Sequence, residues 1–364
     1  MYLLMLKDRV IATITIQHSP FQTNVNIDNI VDTKLLPLGI QSGYYTVYSW
    51  LESRYILAYK RETKEFFATL GINSLEQFID ITNCASLNDC YWVKSADSNK
   101  TWNRMSLFRN SFNENIAHYS FTGKIINKNV GSSPDFSTDG SFPKCWKRID
   151  EEIYLLKAGS SWASNAGYEP YSEIFACQLA KFLDLPIIWQ ELSKHKDTVI
   201  SKSKCICNEN VGLVKMNELH NKSNTDFKWL ISNYKDIPFV HEMLMFDYLT
   251  CNVDRHFGNI WLYINVNTNA VIGFTGICDN NLSCIPYYTV DEDLYYYIND
   301  IRAKDGRTWK ELLQLIDKDV VKKLAAKASK FKFKPLGDKK GDSRVDVLNK
   351  MLKYQLEQIS KVIQ

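Results

Sequence analysis

The stretch Asn252-Val253-Asp254-Arg255-His256-Phe257-Gly258-Asn259-Ile260-Trp261-Leu262 decides how this chain reads. An apolar helical segment containing Met243, Leu244, Phe246 and Leu249 precedes it, and a strand pair around Ile260 to Ile264 and Val271 to Phe274 follows. Directly after that pair come Ile277-Cys278-Asp279-Asn280. Phosphoryl transfer needs few protein parts: a carboxylate to take or orient the nucleophile's proton, and two oxygen ligands to hold Mg²⁺ against nucleotide phosphates. Asp254 and Asn259, five residues apart on one loop, have the types and spacing for the carboxylate and one ligand. Asp279, after the next strands, supplies the other ligand. The order Asp-Arg-His-x-x-Asn replaces the usual His-Arg-Asp-x-x-x-x-Asn of protein kinases, and lipid kinases related to phosphoinositide kinases use it too. The alternative is a polar turn capping a helix, with His256 as a structural hydrogen-bonder.

Two upstream features bear on that choice. Lys157 closes the apolar strand segment Ile153-Tyr154-Leu155-Leu156, where burying a lysine without an anionic partner is costly. A kinase places there the lysine that holds the α- and β-phosphates and pairs with a helix glutamate, and Glu173 is the expected partner. The plain alternative for Lys157 is a snorkelling surface residue. The second feature is Thr138-Asp139-Gly140-Ser141-Phe142-Pro143-Lys144, placed where a kinase has its phosphate-covering loop. With one glycine at its tip it matches neither a Walker A motif nor G-x-G-x-x-G. Short Ser and Gly residues still turn backbone N–H groups toward phosphate, and Ser137, Thr138 and Ser141, read as exposed, are candidate phosphoryl acceptors.

The rest of the chain bounds these readings. Its 364 residues suffice for two or three domains, and 45% hydrophobic with 23% charged residues is ordinary for a soluble globular protein. Forty-four Lys+Arg against 41 Asp+Glu leave a net charge of +3, too small a bias to argue for direct nucleic-acid binding. No run approaches the roughly 20 apolar residues of a membrane helix. Met1 to Leu6, broken by Lys7-Asp8-Arg9, does not read as a signal peptide, so the cytoplasm is the expected location, with secretion by another route left open. Nine cysteines without CxxC repeats fit reduced thiols, and Cys205 and Cys207 read as strand cysteines.

Alternating residues from Tyr2 to Ile16 predict a hairpin around Lys7-Asp8-Arg9. Helical spacing follows between Tyr44 and Ile79, and loop chemistry fills Asn127 to Ser141. Strands at Ile149 and Ile153 to Leu156 flank an acidic turn, and a helix is expected from Tyr171 to Leu183, stopped by Pro186. Thr198 to Ile206 and Val211 to Met216 read as strands, and the chain beyond Asp317 as two amphipathic helices. Lysines on and between those helices, Lys322 to Lys340, read as a solvated face. The expected divisions are 1–120, a mixed α/β subdomain; 121–235, an ATP-binding region; and 236–364, a helical region carrying the catalytic and metal-binding loops.

Taken together, Ser133-Pro134, Asp139-Gly140, Lys144 and Trp146, Leu156-Lys157-Ala158-Gly159, Glu169-Pro170-Tyr171-Ser172-Glu173, Asp254-Arg255-His256-Phe257-Gly258-Asn259 and Asp279-Asn280 resemble the HipA-like serine/threonine kinase family, and its CtkA-like branch most. The resemblance spans nearly the whole chain, and Asp-Arg-His-Phe-Gly-Asn is its specific part. It implies an α+β, two-lobed protein-kinase-like fold with a mainly helical C-terminal lobe, binding ATP and Mg²⁺. It implies Asp254 as catalytic base, Asn259 and Asp279 as metal ligands, and Lys157 oriented by Glu173. His256 would join the nucleotide site, and Asp139, Gly140 and Ser141 would cover the phosphates. It further implies autophosphorylation, a protein substrate, and a separate DNA-binding antitoxin. The family pattern has glycine after Asp-Asn where this chain has Asn281. A lipid or small-molecule kinase and a catalytically weak nucleotide-binding module stand as alternatives.

Overall fold

The computed structural model describes residues 1–19, 21, 23–54, 66–67, 71–124, 131–138, 140, 142–163 and 165–362. In chain order its strands are β1 (Tyr2–Leu6), β2 (Arg9–His18), β3 (Thr23–Asp28), β4 (Tyr91–Ser95), β5 (Lys144–Ile149) and β6 (Glu152–Ala158). Then come β7 (Glu191–His195), β8 (Thr198–Lys204), β9 (Val211–Lys215), β10 (Trp261–Asn265) and β11 (Val271–Phe274). The helices used below are α1 (Leu75–Thr82), α2 (Glu169–Leu183), α3 (Phe227–Asn233) and α4 (Pro238–Thr250). They continue with α5 (Leu294–Asp300), α6 (Trp309–Leu315), α7 (Lys318–Ala328) and α8 (Val345–Val362). The molecule is thus a mixed α/β protein with antiparallel strand pairs. Two compact units emerge, each built from several stretches of chain.

The first unit contains Met1–Lys157, Lys204–Lys222 and Leu262–Gly273. Its four-stranded sheet runs in the order β3-β2-β1-β4. The expected hairpin is there: Lys7, at φ +52°, takes the left-handed turn that lets β1 pair with β2. Leu4, Met5 and Leu6 of the central strand are buried, whereas β3 alternates polar residues with Val25 and Ile27, as suits an edge. Trp92, fully buried on β4, satisfies its indole by donating to the Lys7 carbonyl at 2.7 Å. The β5–β6 hairpin turns through Asp150 and Glu151, both at positive φ, as the sequence's acidic turn anticipates. Cys205 and Cys207, expected on a strand, lie in the coil just past β8, because β8 ends at Lys204. None of the nine cysteines, all of them among the described residues, is in a disulfide.

Under the loop that enters β5, Asp135 is completely buried and accepts from the Trp146 N–H at 2.8 Å and the Ser133 hydroxyl at 2.8 Å. Burial pushes its carboxyl up to about 7, against the pull of those two donors. A carboxyl whose folded pKa lies above its unfolded value stabilises the fold when protonated, and that stability is lost as pH rises from about 4 to about 7. Asp135→Asn removes the titration while keeping an acceptor for Trp146. The melting temperature of the variant relative to wild type should therefore rise by roughly 5 °C between pH 4 and pH 8. Parallel melting curves at the two pH values would overturn this assignment.

The second unit contains Ala158–Ser203, Ser223–Trp261 and Phe274–Gln364. Its centre is α4, which starts on Pro238 and is apolar on all sides, with Val240, Met243, Leu244, Met245, Phe246, Tyr248 and Leu249 buried. Helices α6, α7 and α8 pack around it. The amphipathic stripe expected on α8 is present in Leu348, Met351, Leu352 and Ile359. Gln355 is buried beside that stripe, because its side-chain amide donates to the Tyr248 carbonyl at 2.7 Å and its backbone carbonyl accepts from the Tyr248 hydroxyl at 2.9 Å. Helix α2 begins at Glu169, two residues before the expected start, since Pro170 is well placed in a first turn; Asp184 closes it in the left-handed conformation. Most of the C-terminal lysines face solvent, but Lys327 pairs with Asp184 and Lys340 stacks over the Tyr168 ring. No described helix is long and apolar enough to cross a membrane.

Candidate active site

The decisive stretch is shaped by the end of α4. Cys251, at φ +52°, terminates the helix and redirects the chain into Asn252. Asp247, one turn back, is a carboxylate buried among apolar side chains and has to be matched by a cation or by donors. Arg255 supplies both: its Nε lies 3.0 Å from Asp247 Oδ2 and its Nη2 lies 3.1 Å from Oδ1, a two-pronged ion pair. Asn252 adds a third bond, donating from Nδ2 to Asp247 Oδ1 at 2.8 Å, while its own Oδ1 accepts from the Asp254 N–H.

The same guanidinium reaches two loops. Nη1 donates to the Asn259 carbonyl at 3.0 Å and to the Cys278 carbonyl at 2.5 Å, and Nη2 donates to Asn280 Oδ1 at 2.9 Å. One buried side chain thus ties the Asp254–Asn259 loop to the segment around Asp279. Burial works against the charge on Arg255, but the Asp247 carboxylate more than offsets it and holds the guanidinium above its usual pKa, with Asp279 contributing in the same direction. Asp279 sits at φ +53°, a left-handed conformation that Asp tolerates better than most residues and that recurs at functional sites. Within Asp254-Arg255-His256, Arg255 is thus buried and connects the Asp254–Asn259 loop to the segment around Asp279.

Glu173, near the start of α2, is also buried, and its Oε2 accepts from the Asn280 N–H at 3.0 Å. It thus supports the residue after Asp279. Lys157 ends the first stretch of the first unit, on β6 opposite Lys144, and Glu173 belongs to the second unit. Asn259 donates from Nδ2 to the Asp254 carbonyl at 3.0 Å, a bond that does not use its Oδ1. His256 Nε2 lies 3.9 Å from Asp254 Oδ2, beyond hydrogen-bond range. Among the described residues no cluster of three His, Cys, Asp or Glu gathers as a metal cage. Mg²⁺ needs none, because it is commonly held by one or two protein oxygens with phosphates and water completing its shell. Asn259 and Asp279, a hard all-oxygen set joined through Arg255, fit that requirement.

The phosphate-loop residues Asp139 and Ser141 lie outside the described residues. Gly140 is described, at φ +107°, a backbone conformation that disfavours residues with a side chain, so glycine suits this position. The two described acceptor candidates are not exposed as expected. Ser137 donates to Ser86 Oγ and to the Pro134 carbonyl, and Thr138 donates to the Pro134 carbonyl while accepting from the Trp146 indole at 2.8 Å. A short 3-10 turn over Pro134–Ser137 draws both side chains inward.

Three residues escaped the sequence reading. Asp247 left a trace, as a carboxylate inside an apolar helix that needs a partner. Arg255 was read only as part of the motif string. Lys304, whose Nζ lies 2.6 Å from Asp254 Oδ1, gave no signal, because it comes fifty residues later in an unremarkable polar segment. Cys251, just before the Asp254 loop, is a poor redox candidate: it is fully buried, and burial drives its thiol far above its ordinary pKa.

With fold and site in place, the chain can be set beside solved structures. It is similar to the HipA of Shewanella oneidensis MR-1, solved with HipB and its operator DNA, at a TM-score of 0.56 and 12% identity over 100% of this chain and 98% of that one. It is also similar to CtkA, a proinflammatory kinase of Helicobacter pylori, at a TM-score of 0.46 and 18% identity over 62% of this chain and 90% of that one. No family model matches the chain, and no curated protein matches it. The first likeness establishes a HipA-like fold along the full length.

Proposed function

We propose that this chain is an ATP- and Mg²⁺-dependent serine/threonine protein kinase of the HipA-like type. The observation that carries the proposal is Arg255, whose one guanidinium binds the loop of Asp254 and Asn259 and the segment of Asp279 together. A polar turn of purely structural use gives no reason to gather a carboxylate and two oxygen ligands in this order. In the proposed reaction Asp254 accepts the proton of a substrate hydroxyl as that oxygen forms its bond to Pγ of ATP. The bond from Pγ to the bridging oxygen breaks, and its electron pair leaves on ADP. Mg²⁺, held by Asn259 and Asp279, would neutralise charge on the nucleotide phosphates. Lys157 is proposed to hold the α- and β-phosphates with Glu173 as its orienting partner, and the loop around Gly140 to cover them. Autophosphorylation, on Ser137, Thr138 or Ser141, belongs to the same proposal. So does a separate DNA-binding antitoxin, which the HipB complex of the Shewanella protein suggests.

The test is incubation of the purified chain with γ-labelled ATP and Mg²⁺, alone and with lysate proteins. Magnesium-dependent label on protein serine or threonine is expected; label confined to lipid or small molecules, or none at all, would overturn the proposal. Asp279→Asn should bring a second signature, raising the Mg²⁺ concentration for half-maximal transfer by about tenfold or more, since a charged ligand becomes neutral. Full activity of that variant at limiting Mg²⁺ would remove Asp279 from the metal site.

A further inference from the structure

Lys304 sits in a turn that is built to hold still. The Ala303 N–H donates to the Arg307 carbonyl at 2.9 Å, and the Gly306 N–H to the Ala303 carbonyl at 2.8 Å, with Gly306 at φ +86°. Next to Lys304, the buried Asp305 carboxylate pairs with Arg307 and accepts the Phe227 N–H at the start of α3. That helix in turn supports the catalytic loop: Thr225, just before it, accepts from the Phe257 N–H, and the Trp229 ring packs on Phe257 at 5.6 Å. The turn and the Asp254 loop are thus fixed to the same short helix. Between them the Lys304 ammonium stands 2.6 Å from Asp254 Oδ1, with its side chain 42% exposed.

We infer that Lys304 is a further catalytic residue, a cation that holds the base and binds the phosphoryl group as it is transferred. The inference rests on the kinase reading above and assigns a role to a residue outside its motifs. Stability does not account for the arrangement, since an ion pair this open to water contributes little. Proximity does. A nucleophilic hydroxyl must come within about 3 Å of Asp254 to give up its proton, and Pγ must lie within about 3.5 Å of that hydroxyl. A group bonded to the Asp254 carboxylate is therefore within a few ångströms of the phosphoryl oxygens. An ammonium has three donors, and Asp254 uses one of them. In the step itself the hydroxyl oxygen bonds to Pγ, its proton passes to Asp254, and the Pγ–O bond to ADP breaks with the electron pair going to ADP. Negative charge is spread over the three equatorial oxygens meanwhile, and a cation already in place stabilises it without reorganisation.

The experiment compares the full-length chain with Lys304→Met, Lys304→Arg and, as a control on the exposed face of α7, Lys322→Met. Transfer from γ-labelled ATP and the affinities for ATP and for ADP in Mg²⁺ are measured for each. Lys304→Met should lose about a hundredfold or more in kcat. It should also lose about tenfold in its preference for ATP over ADP, since only ATP carries the group that Lys304 binds. Lys304→Arg should recover part of both, and Lys322→Met should match wild type. Activity of Lys304→Met within twofold of wild type would overturn the inference alone. Faster transfer would do the same, by making Lys304 a latch on the base. Lost transfer with an unchanged ATP preference would also overturn it, leaving Lys304 as a support for Asp254 only. A wild-type chain that transfers nothing would sink the kinase reading and this inference with it, so the two failures are distinguishable.

Discussion

Arg255→Met is expected to destabilise the protein by about 3 to 5 kcal/mol, the cost of breaking a buried ion pair from one side. The substitution keeps much of the side-chain volume but leaves Asp247 buried without its cation. It also removes donors from the Asn259 carbonyl, the Cys278 carbonyl and Asn280 Oδ1. Urea unfolding followed by circular dichroism measures the loss. The double variant Asp247→Leu with Arg255→Met should recover most of it, because no charge is then stranded in the core. The recovered protein should nevertheless be inactive, since nothing ties the Asp254–Asn259 loop to Asp279. An Arg255→Met variant as stable as wild type would show that the pair is not the support described here, and an active double variant would detach it from the site.

Asp254→Ala should lower activity with little effect on the fold, by about 10²- to 10⁴-fold in kcat for protein phosphorylation. The loss should appear in kcat with the KM for ATP nearly unchanged, because Asp254 is assigned to the hydroxyl's proton and not to nucleotide binding. Fold stability should hardly move: the Lys304 partner is half-exposed, and such pairs contribute less than about 1 kcal/mol. Single-turnover transfer and a melting curve on the same sample separate the two effects. Retention of more than a tenth of wild-type transfer would remove Asp254 from the role of base.

The two variants differ in how far the sequence anticipates them. Asp254, Asn259 and Asp279 are proposed from the sequence because phosphoryl transfer constrains residue type, order and spacing along the chain. Local chemistry also made the opening hairpin, the Asp150-Glu151 turn, α2 from Tyr171 onward, and the α8 stripe readable. Gln355 was unreadable, because a polar side chain on an apolar stripe is explained only by the Tyr248 backbone it meets. Ser137 and Thr138 read as exposed since serine and threonine in a Gly/Pro-rich stretch usually are; a 3-10 turn and the Trp146 indole reverse that.

The sequence by itself thus determined local elements such as the opening hairpin and the Asp150-Glu151 turn, the likeness to a kinase motif and the order of the three oxygen-bearing residues of the proposed chemistry, because each is written in neighbours close along the chain. Only the tertiary structure decided what supports them. Asp247, Arg255 and Asn280 form one hydrogen-bonded unit spanning α4, the Asp254–Asn259 loop and the segment around Asp279. Lys304 reaches Asp254 across fifty residues. Ion pairs and hydrogen bonds depend on distances of about 3 Å in space, and the spacing of residues along a chain does not encode those distances until the chain has folded.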